Sequence, residues 1–194
     1  MRSKYNARSN CAQVFIPLAL CMATSGCGQP QDYFYHLRFW EWYSQNAEKA
    51  LSTGEQKKAE EFATSALNEV RNFAFNDWHL CVSLNRLADI ERRAGKYKEA
   101  TEHYRTALLG LEDSGKTAEQ QKLKEFLPRE IYRSYLGLAE IAALINHNSK
   151  AETLYKKALA AEEKLWNAAK LQSEGDQLLG RDIANTLSRL ALVY

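Results

Sequence analysis

The chain has 194 residues, 45% of them apolar, which is enough to fill the core of one or two ordinary domains and excludes a disordered polymer. Its 26 basic and 24 acidic side chains leave a net charge of +2, too small to argue for nucleic acid or a strongly acidic substrate. Nine glycines and three prolines, against abundant Ala, Leu, Glu and Lys, point to a mostly helical protein.

The first 26 residues stand apart. They carry Arg2, Lys4 and Arg8 and no acid, so the basic excess of the whole chain belongs to them. An apolar run, "AQVFIPLALCMA", follows over 12–23 and gives way to the helix-breaking "TSGCGQP". Basic start, apolar middle and small-residue end are the anatomy of an export signal. A bilayer-spanning helix needs about 20 apolar residues, and Pro17 interrupts this shorter run. Ser25-Gly26-Cys27 resembles the lipobox of bacterial lipoproteins, with Thr24 standing where the family usually has an aliphatic residue.

The resemblance implies a lipoprotein-type signal over 1–26 and diacylglycerol on Cys27, which becomes the first residue of the mature chain. Gly28, not being Asp, carries no signal for retention in the inner membrane. The expected place is then the bacterial cell envelope, lipid-anchored at the outer membrane on its periplasmic side, with 27–32 as a short polar tether. The competing reading is ordinary cleavage after Ser25, which releases a soluble exported protein whose Cys27 and Cys81 can pair. Cys81, on a predicted helix with apolar neighbours, reads as a buried small hydrophobe.

Beyond the tether, seven helices are expected, at about 33–52, 56–73, 77–94, 97–115, 128–146, 149–173 and 181–194. They repeat one another. "LNRLADIERRAGKYKEATEHYRTALLGLE" carries Leu87, Ala88, Gly95, Ala100, Tyr104 and Ala107; "YLGLAEIAALINHNSKAETLYKKALAAEE" carries Leu138, Ala139, Ala151, Tyr155 and Ala158 at equivalent positions. An earlier copy gives Ala47, Ala59 and Ala66, and the last helix gives Leu190 and Ala191. Small residues must recur where two helices approach closely, with large ones filling the gaps beside them.

This alternation resembles the tetratricopeptide repeat, a pair of antiparallel helices joined by a short turn. The resemblance implies an all-α solenoid of about three repeats plus a terminal helix over 33–194. The intervals of 41, 51 and 52 residues between copies exceed the usual ~34. The extra residues fall in the stretches around 112–130 and 164–182, read as lengthened helices with exposed connectors. Pro128 is expected to open its helix. The last helix, ending in Leu192 and Val193, reads either as a cap or as a face for self-association.

No catalytic pattern is visible: His36, His79, His103 and His147 lack metal-ligand spacing, and no phosphate loop or nucleophile elbow is present. The chain reads as non-enzymatic, with no cofactor and no metal, and as a scaffold for a protein or peptide partner. A small-molecule carrier or enzyme with its site in the groove is the third reading, and no motif favours it. The first helix of each pair lines the groove of such solenoids, which places Ser44, Glu48, Asn85, Asp89, Arg92, Arg133 and Glu140 at candidate binding positions. Glu48, Asp89 and Glu140 form an acidic ladder there that favours a basic or amide-rich ligand, unless neighbouring arginines neutralise it. The carboxylate clamp known in the repeat family is unmatched, because Glu48 stands where that clamp needs Asn. A stripe of Tyr35, Phe39 and Trp42 in "YFYHLRFWEWY" either covers the end of the solenoid or meets lipid headgroups.

Overall fold

The computed structural model describes residues 30–71, 73, 78–114, 126–170 and 177–193. Cys27, the expected signal segment and the connectors at 115–125 and 171–176 lie outside the described residues. Within them the fold is all-α: seven helices and no strand. They are α1 (Pro30–Ser52), α2 (Gln56–Val70), α3 (Trp78–Arg93), α4 (Tyr97–Ser114), α5 (Phe126–Leu144), α6 (Asn148–Lys170) and α7 (Gln177–Ala191).

Four helices begin earlier than expected: α1 at 30, α5 at 126, α6 at 148 and α7 at 177, against 33, 128, 149 and 181. Residues 30–32, expected as tether, are the first turn of α1. Proline suits a first helical position because its φ is already helical and its missing N–H would have no partner there. Pro128 is the third residue of α5 instead of the first, still inside the turn whose N–H groups lack intrahelical acceptors.

Helices pack with their sequence neighbours, most extensively within the pairs α1/α2, α3/α4 and α5/α6, and α3 also meets α5 directly. The repeat shows most sharply in the turn inside each pair. Gly54, Gly95 and Asn146 sit at φ 78°, 78° and 58°, the left-handed region where an ordinary side chain is strained. At each, two backbone bonds close the helix end. Gly54 N–H donates to Leu51 and Glu55 N–H to Ala50; Gly95 donates to Arg92 and Lys96 to Glu91; Asn146 donates to Ala143 and His147 to Ala142. The next helix then starts identically, with Ala59, Ala100 and Ala151 donating to the carbonyls of Glu55, Lys96 and His147. One backbone motif thus recurs at intervals of 41 and 51 residues.

The small residues do what close approach requires. Ala59, Ala88, Ala100, Ala107, Ala139, Ala151 and Ala158 are fully buried, Ala47 and Ala66 nearly so, and Leu87, Leu138, Tyr104 and Tyr155 are buried beside them. A Cβ on Gly137 would overlap the ring of Tyr104, and one on Gly110 would stand 2.6 Å from the Sγ of buried Cys81. Each buried Leu- or Val-sized side chain contributes about 1.5–3 kcal/mol. The core forms three linked clusters: Ile131 packs against the first and second, and Leu154 against the second and third. Such nearest-neighbour linkage is the organisation of a solenoid. In α7, Leu190 packs against the third cluster, whereas Ala191, expected at a packing position, is exposed because no described helix covers that side.

Candidate partner-binding surface

The first helices of the pairs, α1, α3 and α5, lie side by side with α7, joined by polar side chains at matching heights. Glu48, Asp89 and Glu140 occupy one register, and each is paired with arginine. Arg86 donates to Glu48 at 3.0 Å, Arg133 stands 3.6 Å and Arg92 3.9 Å from Asp89, and Arg92 donates to Glu140 at 2.7 Å. Arg189 of α7 also pairs with Glu140. The expected acidic ladder is therefore an alternating one. Glu48, Asp89, Glu130 and Glu140 are matched by Arg86, Arg92, Arg133 and Arg189, and the strip carries no net charge.

Burial decides which groups can reach a ligand. Ser44 and Asn85, expected on the open surface, are buried, Asn85 where α3 meets α5. Asn85 is a strut: its amide donates to the Glu130 carbonyl at 3.0 Å and the Glu130 carboxylate at 2.9 Å, and accepts from Ser134 Oγ at 2.6 Å. The Ser44 hydroxyl has no partner. Glu140 is buried as well, so its charge belongs to the arginines that hold it. The Glu48, Arg133 and Arg189 side chains, 62%, 41% and 48% exposed, are the groups of the strip open to solvent.

Electrostatics follow from this layout. Burial lowers the Arg86 pKa, with Glu48 opposing the shift, and the Arg86 guanidinium stands 5.8 Å from the Trp40 ring centroid. Burial opposes the charge on Arg133 too, but Glu130, Asp89 and Glu48 together raise its pKa. The Tyr104 hydroxyl donates to Asp89 at 2.5 Å; burial and that carboxylate push its pKa far up. What the strip presents is a set of charge-assisted hydrogen bonds between its arginines and carboxylates.

A second polar cluster joins α5, α6 and α7. Glu162 is buried, and burial, then the charge of Asp182, raises its pKa to about 7. Tyr132 shares a 3.0 Å hydrogen bond with Thr186, and burial pushes its hydroxyl up to about 12. Thr186 donates to the Asp182 carbonyl at 2.9 Å. Sequence reading missed this cluster, since Glu162 sits in an ordinary-looking run of charged helix. It also missed Asn146, whose place could have been found by sliding Gly54 and Gly95 along the repeat interval.

Three of the histidines serve packing and helix pairing, while His147 is exposed. His36 Nδ1 meets Glu69 at 2.7 Å, His103 Nδ1 meets Glu91 at 2.8 Å, and His79 stacks on Trp78 with ring centroids 3.7 Å apart. Among the described residues no group of three or more His, Cys, Asp or Glu side chains could hold a metal ion, and no helix is long and apolar enough to cross a membrane.

The aromatic stripe of α1 is exposed. Trp40 turns inward, donating its indole N–H to Ser83 Oγ at 2.7 Å, while Phe34, Tyr35, Phe39 and Trp42 lie on the opposite side around Arg38 and enclose a shallow, open hollow of about 800 Å³. Tyr35 and Phe39 are in ring contact at 4.7 Å, and Trp42 meets the Phe62 ring edge-on at 5.7 Å. No protein-family model matches the chain, and comparison with curated proteins finds no match.

Proposed function

We propose that the chain is a tetratricopeptide-type scaffold of the bacterial cell envelope, non-catalytic, anchored through lipid on Cys27, that holds a protein or peptide partner across α1, α3, α5 and α7. The observation that carries the reading is the pairing of repeated turns with a continuous polar strip. Three identical helix–turn–helix junctions set the first helices in parallel, and their arginines and carboxylates alternate along one surface. A solenoid builds an extended binding surface in this way. A neutral, alternating strip favours a ligand carrying both signs of charge or many amides, rather than the basic ligand an acidic ladder would select.

Lipid anchorage is supported by the basic start, the apolar run and Ser25-Gly26-Cys27. Two acyl chains give stable attachment where one does not. The test of the function is the partner's response to charge. Glu48→Arg and Arg133→Glu should each weaken co-purification of the partner with the membrane-extracted protein, by about tenfold, because a charge-assisted hydrogen bond is worth about 1.5–3 kcal/mol. Retention of the partner by both variants, with the helical spectrum unchanged, would refute the groove as its site.

A further inference from the structure

We propose that the aromatic half-face of α1 rests in the headgroup layer of the lipid bilayer, so that the first repeat docks on the membrane as well as being tethered to it. The inference rests on the anchoring reading. Counting 100° per residue from inward-facing Trp40, the stripe of Phe34, Tyr35, Phe39 and Trp42 lies on the side of α1 away from the core. All four rings are exposed, Phe34 at 65% and Trp42 at 52%.

Two features separate a lipid surface from a further protein layer. The first is where the stripe stops: beyond Trp42 the same side of α1 turns polar at exposed Gln45 and Lys49 and half-buried Asn46. A helix packed against the solenoid end would need apolar contact in the second half of α1 too, where the inner side buries Ala47 and Ala50. The apolar half is instead the half nearest Cys27. Two residues, Gly28 and Gln29, separate Cys27 from Pro30, about 10 Å of chain at full extension, and Trp42 lies about 18 Å along the helix from Pro30. The second is the charge at the centre of the patch: Arg38 has no ion-pair partner among the described residues. Tyr and Trp rings around a basic side chain match the interfacial layer, where rings sit among carbonyls and a cation meets phosphate.

The test uses the protein extracted with its anchor and reconstituted in phosphatidylethanolamine and phosphatidylglycerol vesicles, with and without brominated acyl chains. The emission difference between wild type and Trp42→Phe isolates Trp42. The expected result is about a twofold or greater loss of Trp42 emission in brominated vesicles, together with shielding from aqueous iodide, as for an interfacial indole. Trp42 open to iodide and untouched by brominated lipid would overturn the proposal. Shielding from iodide without quenching would overturn it too, and would assign the face to a second copy or to this chain's own N-terminal segment. The intact mass of the same sample separates the two readings. A chain without acyl groups sinks the anchoring reading, while quenching of Trp42 on mixing that chain with the vesicles still upholds the lipid contact.

Discussion

The junction between α3 and α5 and the junction among α5, α6 and α7 each bury a glutamate, and they treat it in opposite ways. Between α3 and α5, Glu130 accepts from the Asn85 amide at 2.9 Å and stands 3.4 Å from Arg133. Among α5, α6 and α7, Glu162 has one carboxylate oxygen with no hydrogen-bond partner, and the nearby Asp182 charge raises its pKa further. The difference is one of supply. A buried carboxylate supplied with donors ties two repeats together; one left short of donors holds a proton more readily. The α7 junction should therefore respond to pH.

The largest effect expected tests the inner junction. Tyr104→Ala removes a fully buried ring that fills the space above Gly137 and satisfies Asp89, and should cost about 3–5 kcal/mol in chemical denaturation. Asn85→Ala should follow at about 2–3 kcal/mol, because it strips donors from buried Glu130 and an acceptor from Ser134. A loss below about 1 kcal/mol for either would show that the inner junction is looser than its hydrogen bonds imply.

The α7 junction is tested by pH. The folded-state pKa of Glu162 is raised to about 7 from 4.5, so the folded chain binds more protons than the unfolded one across that interval. The contribution is fully present below pH about 4.5 and is lost as pH rises through about 7, about 3 kcal/mol in all. Glu162→Gln should flatten that part of the stability profile. His103, raised by its hydrogen bond to Glu91, also loses stability with rising pH, but only above its ordinary 6.5. The difference between wild type and Glu162→Gln at pH 5 and 7 therefore isolates the glutamate, and parallel profiles would contradict the assignment.

Smaller effects separate the turns from the surface. Gly95→Ala forces a Cβ into φ 78° and should cost about 1 kcal/mol, whereas Asn146→Gly should leave stability unchanged or raise it slightly, by about 0.5 kcal/mol. Glu48→Gln breaks an exposed ion pair with Arg86 and should change folding stability by less than about 0.5 kcal/mol while still weakening partner capture.

What could be read from the sequence follows from what has a period. Ala59, Ala100 and Ala151, with Tyr104 and Tyr155, declared themselves because close helix packing repeats the same size demand every 41 or 51 residues. The number of helices and their pairing came with them. The candidate surface was legible only as a register. That Glu48, Asp89 and Glu140 share one height is a matter of spacing; that each finds an arginine depends on side chains crossing from the next helix, such as Arg133 to Asp89 and Arg189 to Glu140. Such pairs are about 44–49 residues apart in sequence and have no short-range signature. Ser44 and Asn85 were misplaced for the same reason: helix periodicity gives the side of a helix, but not how closely the next one approaches.

The central claim is that the paired strip across α1, α3, α5 and α7 is the surface that holds a partner. Site-specific photo-crosslinking in intact cells tests it most directly, with the probe at Glu48 or Arg133 on the strip and at exposed Leu109 on α4 as the control. The account predicts one and the same protein adduct from both strip positions and none from Leu109. Equal adducts from all three positions, or an adduct from Leu109 alone, would contradict it.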